Sequence, residues 1–292
     1  MNKPITSLSQ LVRLRPKELT LVIAKYIILI LGTIIFMLPL VWTISASLKP
    51  TGEIFTVPIK WIPSVFKWEN YTNMLASFNI FRYSLNSIIL VFFNIIFVTT
   101  SSFIVAYGFA RFRHPLNGAL FIVILATMMI PEQVTLVPQF LLFSWLGWTD
   151  TYLPLIIPSA FGSAFNIFLM RQFIVTIPKS LDESAYIDGA NSFKILTKII
   201  APLCLPIIVT ICIFTFNFHW NDFLGPLIYL NDPKWFPLQL ALYSFDGGDQ
   251  AVTDFGILFA ASLVALIPPL LLFAFLQNHI MAGVKIGGSL KG

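Results

Sequence analysis

Residues able to carry out chemistry are scarce in this chain, and their spacing excludes more than it suggests. His114, His219 and His279 are scattered and fall at no metal-ligand spacing. Cys204 and Cys212 share one apolar run; eight residues put them about 12 Å apart along a helix, too far for a disulfide. They read as small core residues. No G-x-x-x-x-G-K-[ST] loop, H-E-x-x-H or G-x-S-x-G occurs, so the usual phosphate loop, zinc-hydrolase helix and nucleophile elbow are all missing. Nor are Asp, Glu and Lys strung through several apolar segments, as an ion-coupled carrier needs.

Three polar stretches remain. The first is Glu132, in I-P-E-Q-V-T-L-V-P, where Pro131 and Pro138 should break a helix near its outer end. Glu132 reads as an interfacial acid pairing with backbone groups freed by that break, or as a solute contact. The second is F-N-F-H-W-N-D-F, which puts Asn217, His219, Trp220, Asn221 and Asp222 at the end of an apolar run. The third, Thr176–Ile200, reads as two short helices around a glycine. Ser180 and Glu183 have capping-box spacing, Asp182 and Glu183 suit a helix N-terminus, and Gly189 can close the helix in the left-handed region. Asn191 or Ser192 could cap the second helix.

The elements that must position these stretches are membrane helices. The chain is 57% hydrophobic and 11% charged. Its charge-free windows are Tyr26–Leu48, Tyr83–Ala110, Leu116–Pro131, Thr151–Met170, Ile199–Asn221 and Phe255–Val284. A bilayer core of roughly 30 Å needs about 20 apolar helical residues, and the runs lack the alternation of barrel strands. The expectation is an all-α polytopic membrane protein with six transmembrane helices, at about 22–46, 83–110, 117–138, 153–175, 199–221 and 255–280. The first run is too long and too late to be a removable signal peptide.

With both termini inside, thirteen of the eighteen basic residues but only four of the thirteen acids face the cytoplasm, which fixes the orientation. Residues 1–20 then form a basic cytoplasmic arm, 281–292 a cytoplasmic tail, and 176–200 a cytoplasmic loop. The net charge of +5 follows this orientation and does not point to nucleic acid. Proline-broken helices around polar residues are how transporters build a path. Without an ATP site of its own, a pump of this kind would draw its energy from a cytoplasmic partner.

The 176–200 loop resembles the signature of permease subunits of ABC importers, E-A-A-x3-G-x9-I-x-L-P. Here it reads Glu183-Ser184-Ala185, three residues, Gly189, nine residues, Ile199-Ile200-Ala201-Pro202, with Ser184 and Ala201 as small departures. The 130–138 and 216–227 segments, Asp188-Gly189-Ala190 and the tail Q-N-H-I-M-A-G-V-K-I-G-G-S-L-K-G look like the carbohydrate branch. More closely, they are similar to the smaller six-helix permease of maltose-type systems, over about residues 20–292.

The resemblance implies the type I importer permease fold in a bacterial inner membrane. Its partners would be a second homologous permease, two ATPase subunits that use ATP and Mg, and an extracytoplasmic substrate-binding protein. This chain would carry no cofactor of its own and would not be an enzyme. Glu183, Ser184, Ala185, Tyr186, Asp188 and Gly189 would couple to the ATPase. Asn217, Trp220 and Asn221, with Glu132, would line the solute path, since aromatic faces and amides suit sugar hydroxyls; Trp220 equally suits a lipid anchor. The 231–250 loop, with Asp246, Gly247, Gly248 and Asp249, would meet the binding protein. Sugar import is the implied function, with a polyol, a glycerol-phosphate compound or ion-coupled carriage as alternatives.

Overall fold

A computed structural model describes residues 16–246 and 254–288, and among these every regular element is helical. Among the described residues, four helices are long and apolar enough to cross a membrane, or up to six if each of two bent pairs counts as one span. The helices are α1 (Pro16–Ser47), α2 (Thr51–Ile54), α3 (Glu69–Ser77), α4 (Ile80–Arg111), α5 (Asn117–Thr127), α6 (Glu132–Trp145), α7 (Leu153–Ile156) and α8 (Ala164–Thr176). They continue as α9 (Ser180–Ile187), α10 (Ser192–Ile195), α11 (Ala201–Leu203), α12 (Leu205–Trp220), α13 (Leu224–Tyr229), α14 (Leu238–Asp246) and α15 (Phe255–Gly288).

Several boundaries differ from those expected. The first helix begins at Pro16 rather than about 22, and the last continues to Gly288, beyond 280. The third expected span is bent by 92° between α5 and α6. Pro131 is extended there, and a residue preceding proline, here Ile130, is steered away from helical geometry. Pro138 sits inside α6 without ending it. The fourth span is interrupted by a 3₁₀ turn, Ile157–Phe161, and by Gly162 at φ +84°. The fifth is helical from Ser192 rather than 199, passes through a π-helical turn at Leu196–Ile200, and bends by 79° at Cys204. Pro202 and Pro206 cannot donate to the preceding turn, and Cys204 N–H closes the break on Ile200 O at 2.8 Å.

The chain forms two compact units. In the first, residues 1–73 and 254–263, Asn70 donates to the carbonyls of Ser47 and Lys49 at 2.9 and 3.0 Å. Thr51 Oγ1 donates to Asp254 Oδ1 at 2.6 Å. Lys49 is fully buried; its ammonium bonds the Lys60 carbonyl and lies 4.2 Å from the Trp42 ring centroid. Burial lowers the Lys49 pKa, opposed by the charge of Glu53.

In the second unit, α4 packs on both α8 and α12. One buried apolar cluster runs from Phe103, Ala106 and Tyr107 through Ile167, Met170 and Ile174 to Ala185, Ile195, Ile200, Ile207 and Ile211. A polar stripe on α4 satisfies the backbone freed by the broken fourth span. Asn94 donates to Leu155 O at 3.1 Å and accepts from Ser159 Oγ, while Ser102 Oγ accepts from Ser163 N–H at 3.1 Å. Farther along the stripe, Asn86 donates to the carbonyls of Lys234 and Phe236, and Ser87 Oγ accepts from Leu238 N–H. Membrane helices tolerate breaks only where neighbours re-satisfy the freed groups.

Candidate functional site

Two surfaces of the second unit collect the functional candidates. The first is the 176–200 loop, which forms the expected pair of short helices. Gly189 has φ +78°. Its N–H donates to Tyr186 O at 3.0 Å, and Ala190 N–H donates to Ala185 O at 2.9 Å, the paired bonds of a Schellman closure. Asn191 Oδ1 accepts from Lys194 N–H at 2.8 Å and caps α10. The anticipated Ser180–Glu183 capping box does not form: Lys179 is already in helical geometry, so Ser180 is a first-turn residue and no side chain caps α9.

This loop has an anchored face and an open one. Ala185 belongs to the core cluster. Asp182 is buried and its Oδ2 lies 2.5 Å from Arg111 Nε at the end of α4; Arg111 Nη2 also donates to Ile177 O at 3.1 Å. Glu183, Ser184, Tyr186, Asp188 and Gly189 are exposed on the other side, beside Ile187 at 86% and Phe193 at 72% exposure. The Tyr186 and Ser192 hydroxyls are 2.9 Å apart and tie the two short helices together. Ile187 and Phe193 thus make the outer side of these two helices an exposed apolar face.

The second surface is a cavity of about 510 Å³ where α6, α8, α12 and the 3₁₀ turn meet; Asn166, Thr215, Phe214 and Glu132 line it. A smaller compartment of about 250 Å³ shares Glu132, Ser159, Phe218 and His219 with it and adds Asp222. Burial raises the Asp222 pKa, and the charge of Glu132 raises it further, against the N–H groups of Gly225 and Leu224. Gly225 allows this close fold-back: a Cβ there would lie 2.7 Å from Asp222 Oδ2.

The residues expected along a solute path are therefore divided. Glu132 lines both compartments. Asn217 and Asn221 stand on an exposed face of the fifth span, Asn221 Nδ2 donating to Asn217 O at 2.8 Å, and neither lines a compartment. Trp220 is 2% exposed; its indole N–H donates to Ala265 O at 3.1 Å and its ring stacks on Phe216. In this conformation it holds α12 to α15 and offers no face to solute or lipid. Thr215, Phe218, His219 and Asp222 replace these residues at the cavity, at spacings of 3, 1 and 3 along the chain. That helical register was present in the sequence. In the 231–250 stretch, residues 231–246 fold as a 3₁₀ turn and α14, with Asp246 ending the helix. Gly247, Gly248 and Asp249 lie outside the described residues.

Residues 99–286 match the family described as the binding-protein-dependent transport system inner membrane component. The chain is 31% identical over 264 residues to the diacetylchitobiose uptake system permease protein NgcG of Streptomyces coelicolor, covering 90% of this chain and 87% of that one. It is 33% identical over 283 residues to the polygalacturonan/rhamnogalacturonan transport system permease protein YtcP of Bacillus subtilis, covering 91% and 96%. The fold is similar to a chain in the crystal structure of a bacterial ABC transporter that imports the acidic polysaccharide alginate. There the TM-score is 0.78 at 22% identity, over 94% of this chain and 99% of that one.

Proposed function

Because the chain belongs to the binding-protein-dependent transport system inner membrane component family, we propose how it works as a carbohydrate-import permease and what it works with. It is a transport subunit of an ABC importer, multi-pass and without catalysis of its own. In this reading it sits in a bacterial inner membrane with the 176–200 loop in the cytoplasm. It pairs with a second homologous permease over two ATPase subunits and receives solute from an extracytoplasmic binding protein.

The observation that carries the reading is the divided 176–200 loop. One face is tied to the body through Ala185 and the Arg111–Asp182 pair, and the other presents Glu183, Tyr186, Ile187 and Phe193 outward. Such a loop can dock on an ATPase and move as one piece with α4. Closure of the ATPase pair on ATP and Mg would shift α9 and α10, and the permease pair would open outward to accept solute. Hydrolysis would return it. Glu132 with Thr215, Phe218 and His219 would meet the passing solute. Asn217 and Asn221, on the exposed face of α12, would meet it between the two permeases. The stretch 231–249 would receive the binding protein. Saccharides are the cargo class of the relatives in diacetylchitobiose and rhamnogalacturonan uptake.

The test is co-purification with a tagged chain, followed by reconstitution. A second permease and an ATPase should copurify, and ATP should drive saccharide uptake when the binding protein is present. A lone chain, or uptake that survives without ATP, refutes the reading.

A further inference from the structure

We propose that residues 55–68 form a wedge that inserts into the outer leaflet beside α1, with the headgroup and upper acyl region of the bilayer as its partner. The inference lies outside the importer mechanism. It needs only that α1 crosses a membrane, in the orientation that puts its Ser47 end outside.

The first observation is polarity turned inside out. Val57, Ile59, Ile62, Val65, Phe66 and Trp68 are each more than half exposed, Val57 at 93% and Ile62 at 75%. The polar groups of the same fold point the other way. Ser47, Lys49 and Asn70 are fully buried and Glu53 nearly so. The Glu53 carboxylate accepts from Ser64 N–H at 3.2 Å and from Ser64 Oγ at 2.6 Å, and Lys60 Nζ lies 3.4 Å from it. A loop in water shows its charges and hides large apolar side chains. A contiguous apolar run of this kind, facing outward, marks a surface that meets something other than water.

The second observation is depth. The loop folds back along α1 instead of leading away from it. Trp61 meets Trp42 edge-on with ring centroids 5.8 Å apart, and Ser45 Oγ donates to Trp61 O at 2.5 Å. Trp42 lies five residues before the end of α1 at Ser47, so the tip of the loop reaches back about 8 Å along the span. That is the depth at which amphipathic segments rest at the boundary of headgroups and acyl chains. Tryptophan favours the same zone, and both Trp61 and Trp68 are exposed. Depth and composition together select lipid over a protein partner.

The third observation is the backbone. An irregular segment can enter this zone only where its polar groups are met. Besides the Ser45 bond, the Lys49 ammonium bonds the Lys60 carbonyl, and Lys67 N–H donates to Leu48 O at 2.8 Å. Pro58 and Pro63 have no N–H to place. These ties all run inward to the end of α1 and the residues just after it, which leaves the apolar side chains free to face lipid.

Spin labelling tests this. The full chain with Ile62→Cys or Val65→Cys, in a Cys204→Ala/Cys212→Ala background, is labelled with a methanethiosulfonate nitroxide. It is reconstituted, with the subunits that copurify, into vesicles of phosphatidylethanolamine and phosphatidylglycerol. Power saturation then reads collisions with oxygen, which enters hydrocarbon, and with a neutral nickel chelate, which stays in water. Asn231→Cys, at an exposed position before the 3₁₀ turn that precedes α14, is the water reference. The oxygen-to-nickel ratio at Ile62→Cys and Val65→Cys should exceed the reference by about fivefold or more, since a polar chelate is shut out of the acyl region. Adding Ile62→Asp to the Val65→Cys chain should return the ratio to the reference, because a charge there draws the loop into water. A ratio equal to the reference at both positions would mean that the loop stands in water, and overturns the wedge. So does an immobilised spectrum with slow collisions of both agents, which would mean that a protein partner covers the loop. A ratio at Val65→Cys that Ile62→Asp leaves unchanged overturns insertion through the exposed side chains.

Discussion

The Arg111–Asp182 pair is the most direct place to test whether the cytoplasmic loop is mechanically part of the transmembrane body. Both side chains are almost fully buried, at 5% and 8% exposure, and the charged atoms approach to 2.5 Å. Arg111 Nη1 and Asp182 Oδ1 have no hydrogen-bond partner, and the bond from Arg111 Nη2 to Ile177 O supplies no opposite charge if Asp182 is neutralised. Removing one member of a buried pair costs about 3–5 kcal/mol, because the survivor is left charged and unpaired. At about 1.4 kcal/mol per decade, Asp182→Asn should raise the population of the undocked loop by roughly a hundredfold to a few thousandfold. Backbone N–H groups of 180–187 should exchange with solvent faster by a similar factor. In proteoliposomes, ATP hydrolysed per solute imported should rise several-fold while basal hydrolysis survives. Arg111→Met/Asp182→Leu removes both charges and should recover most of the exchange protection, since packed apolar pairs replace buried ion pairs at little cost. Exchange at the unaltered rate in Asp182→Asn, with an unchanged ATP-to-solute ratio, would refute the idea that this pair holds the loop.

Three further outcomes follow from local geometry. At Gly189, φ is +78° and an added Cβ would meet nothing within 4 Å, so the penalty for Gly189→Val is backbone strain of about 1–2 kcal/mol and not a clash. Uptake should fall in Gly189→Val and be largely kept in Gly189→Asn, which tolerates this region; equal loss in both would show that the open surface matters and the turn does not. Asp222 carries a raised pKa because of its burial. Its ionisation therefore opposes folding: the penalty is absent below the ordinary carboxylate range and complete once pH exceeds the raised folded value. Asp222→Asn should accordingly increase thermal stability at pH 8 and change it little at pH 3.5, and a shift independent of pH would contradict the assignment. Gly225→Ala would place a Cβ 2.7 Å from Asp222 Oδ2 and 3.1 Å from Leu155 Cδ2. It should destabilise by about 1–3 kcal/mol, as overpacking does, measured as a lower midpoint in a detergent melting curve.

The loop was legible in the sequence because its determinants are local. A glycine at the end of a short helix and an asparagine before the next one carry their own geometry, and Gly189 and Asn191 adopt it. Ser180 fails as a cap for an equally local reason: Lys179, at φ −67° and ψ −23°, is already helical. What was not legible depends on which face of a helix meets its neighbours. Asn217, Trp220 and Asn221 stand out by residue type, but the register of Thr215, Phe218, His219 and Asp222 decides which side lines the cavity. Residues 83–110 look like a plain apolar window, although Ser87, Asn94 and Ser101 recur every seven residues with Asn86 and Ser102 beside them. That repeat is the polar seam on which the broken fourth span is fastened. The Arg111–Asp182 contact joins residues seventy-one positions apart, and no local pattern encodes it.

The seam and the ion pair explain how a chain with so many broken helices could transmit force. Breaks at Met128–Pro131, Gly162 and Cys204 would make the α5–α6, fourth and fifth spans compliant if nothing bridged them. α4 has no such break and touches both ends of the problem. Its serines and asparagine hold the carbonyls and N–H groups around 155–163, and its last residue grips α9. On α8, Asn166 lines the cavity while Ile167, Met170 and Ile174 lie in the cluster that also holds Ala185, Ile195 and Ile200. On α12, Ile211 ends that cluster one turn before Thr215 reaches the cavity. Close-packed interiors are nearly incompressible. In the proposed coupling, a displacement imposed at α9 would reach the cavity wall through two helices and a common core, bending where Gly162 and Cys204 interrupt those spans.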